Sequence, residues 1–207
     1  MAHNQSQIPA PVQAKLRSLQ EAMKRDGLSA LLFYSSGQLS MLEVNPVLWL
    51  SGVLPMGPNA GVLLTDSCDA TMLISLSWDQ GRVRRQTWIH EVMVAERFAD
   101  AVQELVQQKS VKGKVGIVGW AFMPAALYQS LQRVLDGRVE VADPILSTLA
   151  RFPGRESLPA LQRAAELADS GFSAILKKAK IGMPEYELAA EVEYAMRSQG
   201  AEDNFGM

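Results

Sequence analysis

Ala30-Leu31-Leu32-Phe33-Tyr34 is an uninterrupted apolar run that begins three residues after Gly27. It is too short for a stable helix. A strand with one wet face would alternate apolar and polar residues, so an unbroken run marks a strand buried on both faces of a sheet. Just before it, Val12, Leu16, Leu19 and Met23 recur at helical spacing between Pro11 and Asp26, with Lys15, Arg17, Glu21 and Lys24 among them. One face of that helix is apolar, and Gly27 supplies its stop. The chain opens α then β, with helices expected to cover the sheet.

The same reading extends toward the C-terminus. A short helix is expected around Leu39 to Leu42, and Val47-Leu48-Trp49-Leu50 is a strand candidate. Gly61 to Leu64 and Thr71 to Ile74 flank the polar Asp66-Ser67-Cys68-Asp69, which predicts a hairpin. After a charged loop come a strand at Glu91 to Val94 and an amphipathic helix marked by Phe98, Val102, Leu105 and Val106. Lys114 to Val118 is another buried strand, Pro124 to Leu135 another helix, and Val139 to Val141 a short strand. This alternation predicts an α/β fold: a mixed β-sheet of about six strands flanked by helices.

The pattern changes near Phe152-Pro153-Gly154, the expected domain boundary, and from Asp143 no strand pattern appears until the end of the chain, at Asn204 to Met207. Leu158, Leu161, Ala165, Ala168, Phe172, Ile175 and Leu176 line one side of a long helix from Arg155 to Ala179, and Pro184 to Gln199 forms a second. Residues 1–150 are thus expected to form one domain and residues 151–207 a pair of helices beginning another. Small residues such as Ala164, Ala165, Ala168 and Gly171 permit close packing, while Glu185 and Glu187 complement the N-terminal dipole of the second helix.

Composition excludes several partners. A net charge of -2 over 207 residues offers no general attraction to phosphate backbones or anionic membranes, so no nucleic acid and no membrane partner is expected. The longest apolar runs are strand-sized, far below the roughly 20 residues of a membrane-spanning helix. A lone cysteine, Cys68, and a polar Met1 to Val12 segment favour the cytoplasm.

Few residues suggest chemistry. His3 and His90 have no second metal ligand at a recognisable spacing. Gly113-Lys114-Val115-Gly116-Ile117-Val118-Gly119 spaces its glycines as G-x-x-G-x-x-G around a strand-like core, unlike a dinucleotide loop. Ser170 falls inside a helix without a nucleophile elbow, and acids on both sides of Cys68 disfavour a thiolate. No catalytic, metal or cofactor-binding residue emerges. Arg82, Arg84 and Arg85, with Trp78 and Trp88 nearby, are the substrate-contact candidates, because guanidinium groups bind carboxylates in bidentate fashion; the alternative is a solvated loop.

Leu161-Gln162-Arg163-Ala164-Ala165-Glu166-Leu167-Ala168-Asp169, then Gly182-Met183-Pro184-Glu185-Tyr186-Glu187-Leu188-Ala189-Ala190-Glu191, then Gly200-Ala201 and Phe205, resemble the entry into the catalytic domain of the pita-bread hydrolases: creatinase, aminopeptidase P and prolidase. The helix-strand opening, Leu48-Trp49-Leu50-Ser51-Gly52 and the hairpin from Gly61 resemble the N-terminal domain of those relatives. The likeness departs at Arg155-Glu156-Ser157-Leu158-Pro159, where the family has Lys-Ser-x-x-Glu.

The resemblance implies a homo-oligomer, a dimer, in which this part of the chain assembles subunits and partly encloses an active site. It implies a parent that hydrolyses proline-containing peptides with a divalent metal pair (Mn, Co or Zn), whose two aspartates, histidine and two glutamates would lie after Met207. A creatinase-like, metal-independent hydrolase of a small amide or amidino substrate is the alternative. Gln80-Gly81-Arg82-Val83-Arg84-Arg85 resembles a creatinase stretch, but Met56-Gly57-Pro58 stands where creatinases carry an aromatic-Gly-Arg. A third reading is a stand-alone, non-catalytic oligomerisation module.

Overall fold

A computed structural model describes residues 8–37, 43–151 and 154–202. The chain divides into two compact units, Met1–Phe152 and Pro153–Met207.

The first unit begins with α1 (Ala10–Asp26), which turns at Gly27 into β1 (Leu28–Ser35). There follow α2 (Pro46–Ser51), the hairpin strands β2 (Ala60–Thr65) and β3 (Ala70–Ile74), α3 (Gln80–Gln86) and β4 (Glu91–Val94). Then come α4 (Phe98–Gln108), β5 (Lys114–Val118), α5 (Ala125–Val134), β6 (Val139–Val141) and α6 (Asp143–Arg151). The strands form a single mixed sheet in the order β4-β3-β2-β1-β5-β6. β1 is central, antiparallel to β2 and parallel to β5.

The apolar run in β1 serves two cores because successive side chains point to opposite faces. Leu31 and Phe33 pack with α1, α2, α3 and α6 on one face, whereas Ala30, Leu32 and Tyr34 pack with α4 and α5 on the other. Leu31, Leu32, Phe33, Leu63 and Leu73 are all fully buried. Each contributes about 1.5–3 kcal/mol relative to exposure. The β2–β3 turn forms at the expected residues: Thr65 and Asp69 exchange hydrogen bonds, and Cys68 takes a left-handed φ of 61°.

Three expectations need correction. The strand candidate Val47 to Leu50 is helical, in α2. Asn45 caps it by accepting from the Leu48 N–H at 3.0 Å, Pro46 suits its first turn, and Gly52 closes it with φ 75°. Its last carbonyls, on Leu50 and Ser51, accept from Trp88 Nε1 and Thr87 Oγ1, so the apolar run is buried as a helix. The charged loop between β3 and β4 contains a helix, α3, whose Val83 is buried in the core. α6 was not anticipated, although Asp143-Pro144 is a helix-start signal. The expected helix at Leu39 to Leu42 lies outside the described residues.

In the second unit, a single 3₁₀ turn at Arg155–Ser157 leads into α7 (Leu158–Lys178), which pairs with α8 (Glu185–Arg197). Gly171 lies at their contact: a Cβ there would press on Met196 and Val192. Lys178 and Glu191 pair at 3.1 Å, and Arg163 donates to the Gln199 carbonyl at 2.6 Å. Leu158, Leu161, Phe172, Leu176, Tyr186 and Tyr194 are exposed.

Candidate functional site

All strands of the sheet except β2 run in the same direction, so the ends of β1, β3 and β5 and the start of β2 share one edge. This is where an α/β sheet releases loops free to carry function.

The loops at that edge are stitched together. Gly37 and Gly57 meet backbone to backbone at φ 83° and 99°; a Cβ on Gly37 would strike the Gly57 carbonyl, and one on Gly57 would press on Ser75 and Leu76. Ser35 Oγ accepts from Asn45 Nδ2 at 2.7 Å and from the Gly37 N–H at 3.1 Å. The Tyr34 hydroxyl donates to Asn59 Oδ1 at 2.7 Å, and burial pushes its pKa up.

Asp79 anchors the loop ahead of β2. Its carboxylate accepts from the Met56 N–H at 2.8 Å and takes Arg82 in two bonds, while Arg82 Nη2 also donates to the Leu54 carbonyl at 3.0 Å. Burial raises the pKa of Asp79, but the Arg82 bonds, the Met56 N–H and the Arg82 charge outweigh it and hold the carboxyl below its ordinary value.

This framework presents Val44, Met56, Trp78, Trp120 and Phe122, all exposed, along one edge. Trp78 is 67% exposed and Met56 51%. Beside the rim, a cavity of about 520 Å³ lies between the end of β5 and α6, lined by Gly119, Phe122, Asp143, Leu146, Ser147 and Arg151 among others. Three successive backbone N–H groups, of Gly119, Trp120 and Ala121, converge there as in an anion-binding nest. The Asp143 carboxylate already fills it, at 2.5, 3.0 and 3.2 Å. The nest therefore closes a loop onto a helix and has no donors left for a phosphate.

The three arginines on α3 do not converge. Arg82 is committed to Asp79, Leu54 and Gln86. Arg84 reaches the Val92 carbonyl at 3.4 Å, and Arg85 is exposed. His90 is exposed beside β4, and His3 lies outside the described residues. Ser170 Oγ donates to the Leu167 carbonyl inside α7. Gly113 to Gly119 surround β5 as a strand. Burial, and secondarily Asp66, raise the pKa of the Cys68 thiol, so the flanking acids matter less than desolvation. Among the described residues, no three His, Cys, Asp or Glu side chains come together to hold a metal ion. These residues do not fit a metal pair. No helix among them is long and apolar enough to cross a membrane.

Sequence reasoning missed Asp79, Asp143 and the rim. Asp143 was findable from Asp-Pro at a helix start; Asp79 had only an i,i+3 arginine; the rim joins residues distant in sequence and has no local signal.

Residues 15–149 match the Creatinase/Prolidase N-terminal domain. The chain is 24% identical over 157 residues to the Xaa-Pro dipeptidase of Pyrococcus furiosus, an alignment covering 75% of this chain and 42% of that protein. Its fold is shared with the X-Pro aminopeptidase of Thermotoga maritima at TM-score 0.76 and 18% identity, over 90% of this chain and 50% of that one. It is also shared with the prolidase of Pyrococcus horikoshii OT3 at TM-score 0.67 and 20% identity, over 91% and 50%. The chain spans about half the length of these relatives or less.

Proposed function

The chain belongs to the creatinase/prolidase N-terminal domain family, and on that premise we propose that it is the N-terminal portion of a cytoplasmic Xaa-Pro peptidase of the prolidase and aminopeptidase P type. Its role is assembly of a dimer and partial enclosure of an active site whose catalytic residues lie in a further domain. Residues 151–207 form the leading helices of that domain, and their exposed Phe172, Leu176, Tyr186 and Tyr194 are faces for the rest of it to cover. The metal pair, Mn, Co or Zn, belongs to that further domain and would supply activated water for amide hydrolysis.

The observation that carries this reading is the match of residues 15–149 to the Creatinase/Prolidase N-terminal domain, and the exposed rim of Val44, Met56, Trp78, Trp120 and Phe122 is the surface available for enclosure. Of the three arginines, Arg85 is the substrate or partner contact in this reading, because it is exposed while Arg82 is held by Asp79.

Hydrolysis of Xaa-Pro dipeptides tests the proposal. The 207-residue chain is expected to be inactive with or without Mn, Co or Zn. A product translated through any coding sequence downstream is expected to be active and metal-dependent. Hydrolysis by the short chain alone, or a longer product that cleaves creatine without metal, overturns the reading.

A further inference from the structure

The sheet ends on β4 at one side and β6 at the other. In a parallel ladder, alternate residues of an edge strand turn both N–H and C=O outward. The Ala95 N–H donates to the Ile74 carbonyl, which directs Glu91, Met93 and Ala95 inward and Val92 and Val94 outward. The bonds from Val115 N–H to Arg138 and from Ala142 N–H to Ile117 do the same on β6, leaving Val139 and Val141 outward. An outward row of this kind is a template for another strand.

One outward carbonyl on each row is already engaged. Gln80 Nε2 donates to the Val92 carbonyl at 2.9 Å, and Arg84 Nη2 reaches the same oxygen at 3.4 Å. Gln80 and Arg84 are four residues apart on α3, so a single helix face lies along the β4 edge. On the opposite side Gln132 Nε2, from α5, donates to the Val139 carbonyl at 3.3 Å. In both cases the donor comes from the helix preceding the edge strand, and the N–H of an incoming strand would have to compete with it for that carbonyl.

We infer that Gln80 and Arg84 cap the β4 edge against strand addition by a second copy of this chain, with Gln132 as the counterpart on β6. Copies of the sheet are thereby kept from joining edge to edge, and association is left to surfaces such as the loop rim. Arg84, a candidate for substrate contact by sequence, serves the cap. The inference rests on ladder geometry and holds whether or not the parent is a peptidase.

Sedimentation velocity over a range of concentrations, with circular dichroism to confirm folding, tests it on the Gln80→Ala/Arg84→Ala double variant of the full chain. The expected result is about a tenfold shift toward heavier species at equal concentration, the equivalent of one hydrogen bond of selectivity. Adding Val94→Pro, which deletes an outward N–H and spares the bonds to β3, is expected to reverse that shift. A folded double variant with an unchanged mass distribution overturns the inference. So does a shift toward heavier species that persists undiminished in the triple variant, since the added association then uses another surface. If the double variant unfolds, Gln80→Ala alone, which removes the shorter bond, is read by the same criteria.

Discussion

Asp79 and Arg82 lock in a two-pronged ion pair, Nε to Oδ1 at 2.7 Å and Nη2 to Oδ2 at 2.9 Å, with the Asp79 side chain wholly buried. Arg82 carries the pair on to the Leu54 carbonyl and Asp79 to the Met56 N–H, so one ion pair pins the loop that displays Met56.

Arg82→Ala leaves a buried carboxylate without its countercharge and is expected to cost about 3–5 kcal/mol. Arg85→Ala, on the same helix but exposed, is expected to fall within about 0.5 kcal/mol of the parent. Urea denaturation of both variants checks the contrast, and equal effects would show that the pair does not hold the loop.

Stability should fall on both sides of neutrality. Asp79 is held below its ordinary pKa as described above. Glu91 is also lowered: the Thr71 hydroxyl leads, burial opposes, and Lys109 assists. Below about pH 4 the unfolded chain binds more protons than the folded one, so this contribution is full above that range and lost as pH drops through the folded values. Lys109 is buried enough to be pushed down, but its bonds and charge interactions with Asp69 and Glu91 raise it overall. Its contribution is full below about pH 10 and lost above it. Thermal melts from pH 3 to 11 test both limbs, and Asp79→Asn should flatten the acid one.

Gly119→Ala should cost about 2 kcal/mol or more, because φ is 97° and a Cβ would strike the Tyr34 carbonyl. Asp143→Ala, which frees three N–H groups, should cost about 1–2 kcal/mol. Hydrogen exchange should then speed up at Gly119, Trp120 and Ala121 while the β5 amides stay protected. Unchanged exchange at those three would mean that the carboxylate does not hold the nest.

Ser75→Ala tests the opposite sign. Ser75 Oγ is buried without a hydrogen-bond partner among the described residues, so removing it relieves a desolvation cost of about 1 kcal/mol. The variant is expected to melt at or above the parent temperature. A marked loss of stability would show that the hydroxyl has a partner.

The layered α/β arrangement was legible because burial on two faces leaves its mark on consecutive residues: Ala30 to Tyr34 and Val115 to Val118 could be read as strands without knowing their neighbours. The failure at Val47 to Leu50 has a local cause. A short apolar run satisfies a buried helix as well as a buried strand, and the decision lay in Asn45, Pro46 and Gly52 at its ends. α3 was hidden for a different reason: Arg82, Arg84 and Arg85 make it look solvated, although Val83 alone anchors it in the core.

The sequence by itself determined most of the strands and their order, because hydrophobic period is a property of neighbours along the chain. Only the tertiary structure decided what the charged residues do. It took Arg82 out of solvent and into Asp79, turned Arg84 onto the edge of β4, spent Asp143 on three backbone N–H groups, and gathered Val44, Met56, Trp78, Trp120 and Phe122 on one edge. Those outcomes depend on strand direction and register, which bring together residues far apart in sequence through pairings no local pattern encodes.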